Sequence, residues 1–239
     1  MSFGVSEEKQ AVLCLPTAGP DVECQPALQV GAIVTPVVQT VTDGLPVRRG
    51  RRAAYVISQV GSPPIVMALS ILLSAAVMAQ ALAWMWASVY VTLAIALPVL
   101  QLVWLLHRGQ VADLDVRRRE QRSKPMIFML VCGAVGWAVL AIGSAPLVLI
   151  LIAGAALFQT TVIFLITLRW KISVHCSAAA GAATIVLLVV GTPLPLLLGV
   201  PLVAWSRIRL RHHTLAQTIA GSLLGATVYS IALCIPFVR

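Results

Sequence analysis

Ser206-Arg207-Ile208-Arg209-Leu210-Arg211-His212-His213 is a short basic segment set between two apolar runs. Upstream, residues 193–205 are apolar and carry Pro193, Pro195 and Pro201. Downstream, residues 214–237 form an apolar run long enough to cross a bilayer, because a helix rises about 1.5 Å per residue and the hydrocarbon core is about 30 Å thick. Three arginines and two histidines pressed against a span are costly unless they lie in the interface or hold an anion. On either reading this stretch belongs to a polytopic, all-helical membrane protein.

The composition agrees. Of 239 residues, 59% are hydrophobic and only 10% charged, and the mean hydropathy is +0.96, which predicts one integral membrane domain. A net charge of +9 would suggest nucleic acid in a soluble protein. Here the cations sit between apolar runs, so membrane orientation and anionic ligands explain them and no nucleic-acid partner is predicted. The five cysteines show no C-x-x-C spacing; Cys132, Cys176 and Cys234 read as small apolar residues in or beside spans, neither disulfides nor metal ligands.

Residues 1–52 read as a tail, partly disordered or interfacial. Glu7, Glu8 and Lys9 precede any apolar run, unlike a signal peptide, and 27–41 is too short and proline-broken to span. The transmembrane domain is then 53–239, with about six or seven spans by hydropathy and length. They fall at 55–83, interrupted by Gly61-Ser62-Pro63-Pro64, and at 85–106, 125–142, 146–168, 176–190, 194–205 and 214–237. The stretch 194–205 is short and holds two prolines, which predicts a kinked or incomplete crossing. Gly221-x-x-x-Gly225 in the last span predicts a close helix contact.

If the spans alternate, every basic residue from Arg48 to Arg211 falls on one face, and Arg239 alone falls on the other. The positive-inside rule makes the basic face cytoplasmic, in the plasma (inner) membrane of a prokaryote. Three helices are expected to start on this face, at Pro125, near His175 and near His213, each preceded by cations. Helix starts offer unpaired N–H groups and a positive dipole end, so the face suits a phosphate, which arginine grips in a bidentate way. After Asp43 the acidic residues are Asp113, Asp115 and Glu120, none inside a span. That counts against a Mg²⁺-held diphosphate and against proton-coupled transport; Asp113-x-Asp115 keeps a Mg²⁺-dependent prenyl or phospho-alcohol transferase as an alternative. No metal or cofactor is predicted, and a histidine becomes the candidate covalent participant.

These residues resemble the type 2 phosphatidic acid phosphatase superfamily, whose motifs are K-x6-R-P, P-S-G-H and S-R-x5-H-x3-D. The third is matched by Ser206-Arg207-x5-His213-x3-Gln217, with glutamine where the family has aspartate. The second is matched by Ser173 and His175 in Ile172-Ser173-Val174-His175, and the first by Arg117-x6-Lys124-Pro125 with its basic types exchanged. Arg119 and Arg122 are equally placed to serve in the first. The resemblance covers residues 55–237. It implies that His213 attacks phosphorus to give a phosphohistidine and that His175 protonates the leaving alkoxide. It also implies that Arg207, with two basic residues of 117–124, neutralises the phosphoryl oxygens, that Ser173 and Ser206 serve the phosphate site, and that Gln217 supports His213. The expected activity is metal-independent hydrolysis of a lipid phosphate monoester or diphosphate, with membrane lipids as surroundings. A catalytically weak relative that binds anionic lipid or a partner protein is the other reading, because Gln217 brings no charge. Arg209 and Arg211 read as headgroup contacts, His212 as a neighbour without chemistry and His107 as interfacial.

Overall fold

The structure, a computed structural model, describes residues 45–110 and 123–234. The chain forms two compact units, Met1–Gly50 and Arg51–Arg239, and the helical bundle is built on the second. The segment 27–41 and the residues Asp113, Asp115, Arg117, Arg119 and Arg122 lie outside the described residues.

Every described element is a helix. The helix α1 (Leu45–Val60) breaks at Gly61-Ser62 and gives way to α2 (Pro63–Met78), bent from it by 49°. Pro63 and Pro64 lack an N–H and fit only in the first turn of a helix, so the hydrogen-bond ladder has to restart there. The next helix, α3 (Ala81–His107), widens into a π-helical turn over Val91–Ala96, where Leu97 N–H reaches back to Thr92. Pro98, just beyond, has no N–H to return to Ala94, and the ladder takes up the misfit immediately upstream. The same device recurs at Pro195–Gly199, ahead of Pro201, where the turn leads into α7 (Val200–Arg209). The remaining helices are α4 (Ser123–Ile142), α5 (Leu147–Thr167), α6 (Val174–Val190) and α8 (Leu215–Cys234).

By length and composition four helices can cross a membrane, α3, α4 (from Lys124), α5 and α8, and the bent α1–α2 pair makes a fifth if it is one span. The expected crossings at 176–190 and 194–205 correspond to the shorter α6 and α7. Large apolar side chains such as Leu100, Phe158, Leu165 and Leu223 are exposed on the outside of the bundle, a surface suited to lipid.

The short α6 is the centre of the fold. It packs against α2, α7 and most closely α8, and every residue from Cys176 to Ile185 is buried. Its Cys-Ser-Ala-Ala-Ala-Gly-Ala-Ala run lets neighbours approach on all sides. Within a membrane such close packing, more than the hydrophobic effect, holds helices together. A Cβ on Gly221 of α8 would lie 2.5 Å from the Ser173 carbonyl oxygen, and one on Gly225 would overlap the carbonyl of Ser177. The glycine pair read from the sequence is therefore a seam in which backbone meets backbone, and α6 and α8 begin side by side: Ser173 N–H donates to the Gln217 carbonyl at 3.3 Å.

Candidate functional site

Three chain segments meet where α6 and α8 start and α7 ends. The end of α7 is closed by His212 N–H donating to the Arg207 carbonyl and Arg211 N–H to that of Ile208, the paired bonds of a Schellman cap. The left-handed position of such a cap usually holds glycine, but here it is Arg211, with φ of 56°. A side chain in that conformation costs about 1–2 kcal/mol, and the turn it forms delivers His212 and His213 to the head of α8.

That head is a capping box. Gln217 N–H is bonded to Thr214 Oγ1 at 3.4 Å, and Thr214 N–H returns to Gln217 Oε1 at 3.2 Å, as the Thr-x-x-Gln spacing requires. His213 Nδ1 lies 3.0 Å from the same Oε1. The Thr214 amide can only donate, so the atom facing it is the Gln217 oxygen, and His213 must therefore donate from Nδ1. Its Nε2 is left with the lone pair. Gln217 thus orients the imidazole through its side chain while its backbone carbonyl holds the start of α6.

Arg207, on the last turn of α7, is 4% exposed. Its Nη1 donates to Ser58 Oγ at 2.8 Å and lies 3.5 Å from His175 Nε2. A guanidinium only donates, so in that contact His175 accepts and carries its own proton on Nδ1. The Ser58 hydroxyl and the His175 ring are both neutral acceptors, and no Asp or Glu occurs among the described residues. Lys171, in the α5–α6 connection, donates from Nζ to the His212 carbonyl at 2.9 Å and joins that loop to the α7–α8 turn.

The electrostatics follow from this crowding. Burial first of all pushes His213 down to about 4, and the charges of Lys171, Arg207 and His212 push the same way; the Gln217 acceptor works against them. At neutral pH His213 is an uncharged imidazole with a defined tautomer.

No family model, characterised protein or solved structure matches the chain.

Of the residues expected from the sequence, Arg207, His175, His213 and Gln217 come together. Ser173 stands beside them as the N-cap of α6, its Oγ accepting from Cys176 N–H at 3.4 Å. The Ser206 hydroxyl instead turns back to the Val203 carbonyl of its own helix at 2.7 Å. Lys124 is exposed at the start of α4, and the other cations expected of that motif lie outside the described residues. Among the described residues no group of three or more His, Cys, Asp or Glu side chains is placed to hold a metal. Two participants carried no signal of their role in the sequence. Lys171 was visible only as one more cation of the basic face. Ser58 is 149 positions away from Arg207, and no spacing rule connects them.

Proposed function

We propose that this chain is a divergent type 2 phosphatidic acid phosphatase that hydrolyses a phosphate monoester or diphosphate of a membrane lipid, without metal, through a phosphohistidine. The observation that carries the reading is the His213 imidazole, neutral and donating from Nδ1 to Gln217, in the electrostatic field of a buried arginine that also contacts His175. In the proposed reaction the Nε2 lone pair attacks phosphorus and the ester P–O bond breaks. The leaving alkoxide takes a proton from His175, while Arg207 neutralises charge on the equatorial oxygens. Water then attacks the phosphorus of the phosphohistidine and gives a proton to His175. The P–N bond breaks, and phosphate and the starting imidazole are released.

His175 rests with Nε2 turned to Arg207, so its acid role requires a further proton. An incoming phosphate brings the negative charge that favours one there. The proposal includes six or seven crossings, with the shorter α6 and α7 completing the bundle and the basic end facing the cytoplasm of a prokaryotic cell.

Gln217 supports a second reading, a catalytically weak relative that binds anionic lipid, because a neutral acceptor stabilises an imidazolium less than a carboxylate does. One experiment separates the two: phosphate release by the full chain in detergent, with EDTA, across a panel of lipid phosphates, for wild type and His213→Ala. Release that persists in EDTA, is inhibited by vanadate and disappears in the variant is expected. No release from any lipid moves the weight to the binding protein.

A further inference from the structure

We propose that Ser58, on α1, is a positioning residue of the anion site: its Oγ, accepting from Nη1, holds the plane of the Arg207 guanidinium. The inference rests on the anion-binding part of the reading above and adds an element, α1, to which no motif pointed.

Ser58 is 2% exposed, and its Oγ accepts from Arg207 Nη1 at 2.8 Å, much shorter than the 3.5 Å between that nitrogen and His175 Nε2. Nη1 has two hydrogens. In the resting protein one is directed to Ser58 and the other towards His175; once His175 takes up its further proton its Nε2 no longer accepts, and the Ser58 bond is the one that still holds the rigid guanidinium plane and the directions of its other N–H groups. Bidentate capture of a tetrahedral anion depends on that plane, because a tilted fork loses one of its two parallel bonds.

The approach of α1 to this spot is built into its sequence. Its buried stripe is Ala54 and Ser58, one turn apart, continued by Gly61. A Cβ at Gly61 would lie 2.5 Å from Val203 Cγ2, and Val203 precedes Arg207 by one turn on α7. Gly61 and Ser58 therefore meet Val203 and Arg207 as a matched pair of contacts, and the Pro63-Pro64 break directs α2 away beyond them. Other serines of the bundle act within their own helices: the hydroxyls of Ser70, Ser74, Ser206 and Ser222 bond to carbonyls three or four residues back. Ser58 Oγ instead accepts from a buried cation of another helix.

The test uses the full chain in detergent and reads affinity for inorganic phosphate and for vanadate by calorimetry. It compares wild type, Ser58→Ala, Ser58→Thr and Ser58→Cys, with Ser74→Ala as a buried-serine control. Losing one hydrogen bond to a charged group is expected to weaken anion binding about tenfold or more in Ser58→Ala. Ser58→Thr, which keeps the hydroxyl, restores binding, and Ser74→Ala leaves it at the wild-type value. Ser58→Cys keeps the size but offers only a weak acceptor, so it decides the question in the same way if the alanine variant does not fold. Wild-type affinity in Ser58→Ala or Ser58→Cys, or an equal loss in Ser74→Ala, overturns the positioning role alone. A wild-type chain that binds neither anion overturns both this inference and the anion site. Anion binding without phosphate release from any lipid overturns only the hydrolytic reading, and the Ser58 comparison is still decided by affinity.

Discussion

At His213 the chemistry depends on one proton. Its acidity is displaced from an ordinary 6.5 to about 4, with burial the main cause. The folded chain therefore holds fewer protons than the unfolded chain between those values. The contribution to stability is present in full above 6.5 and is lost as the pH falls through 4. For the proposed reaction the same displacement keeps the nucleophile unprotonated across the physiological range, and the acid limb assigned to His213 lies near pH 4. Gln217→Asp would place a carboxylate on Nδ1 where there is now a neutral oxygen. An adjacent negative charge favours the imidazolium, so His213 is expected to titrate closer to neutrality and the acid limb of kcat/KM to move up by at least about one pH unit. Aspartate is one methylene shorter and gives up the glutamine half of the capping box, so a stability loss of about 1 kcal/mol is also expected. An NMR titration of the His213 ring measures the first effect without turnover. A ring that titrates at the same pH in both proteins contradicts the role given to Gln217.

The pairing of α6 with α8 sets where the two histidines stand. Gly225 faces the Ser177 carbonyl so closely that a methyl group there overlaps it. The obstacle is backbone, which cannot rotate aside, so Gly225→Ala has to push the helices apart. A cost of about 1–3 kcal/mol is expected for overpacking of this kind. The same movement strains the bond between Ser173 N–H and the Gln217 carbonyl, so activity should fall along with the melting temperature. Gly199→Ala is the control, because a Cβ there has nothing within 4 Å, and both quantities should stay near wild type. This seam also marks how far the sequence could be read. Gly221-x-x-x-Gly225 announced a close contact, because small residues at that interval leave a groove whatever fills it. The filler, the Ser173 and Ser177 carbonyls, had no signature, since backbone offered by an alanine-rich helix is not encoded by residue type. The break at Gly61-Ser62-Pro63-Pro64 was legible because proline chemistry is local. The central place of α6 was not, because a helix shielded on all sides by its neighbours has no polar face to mark it. His175, Arg207 and His213 could be singled out in the sequence as residues of one basic face, whereas Ser58 reached Arg207 only through the folding of α1 onto α7.

At the scale of the whole described bundle, its two ends differ in charge. The described bundle contains no Asp or Glu, so its cations are compensated only by solvent, lipid headgroups, ligands or the rest of the chain. Arg169 and Lys171 lie between α5 and α6, and Arg209 and Arg211 close α7; Lys171 joins these two loops directly. The turn between α4 and α5, around Ser144, lies at the far end of the 21-residue α5, about 30 Å away at the rise of a helix. It carries no charge. A basic end and a neutral end separated by the thickness of a bilayer are what the positive-inside rule sorts. In the family proposed above the site often lies on the extracytoplasmic side, so orientation is a sharp question. Single cysteines answer it when placed at the exposed positions 144, 169 and 209, in a chain whose native cysteines are changed to alanine. In intact cells an impermeant maleimide is expected to label Ser144→Cys and to leave Arg169→Cys and Arg209→Cys unlabelled until the membrane is opened. Labelling of 169 and 209 from outside, with 144 protected, would reverse the orientation and show that these arginines are kept for an anion and not for topology. Labelling of 144 and 169 from the same side would mean that α5 does not cross, and the alternation on which the common basic face depends would be lost.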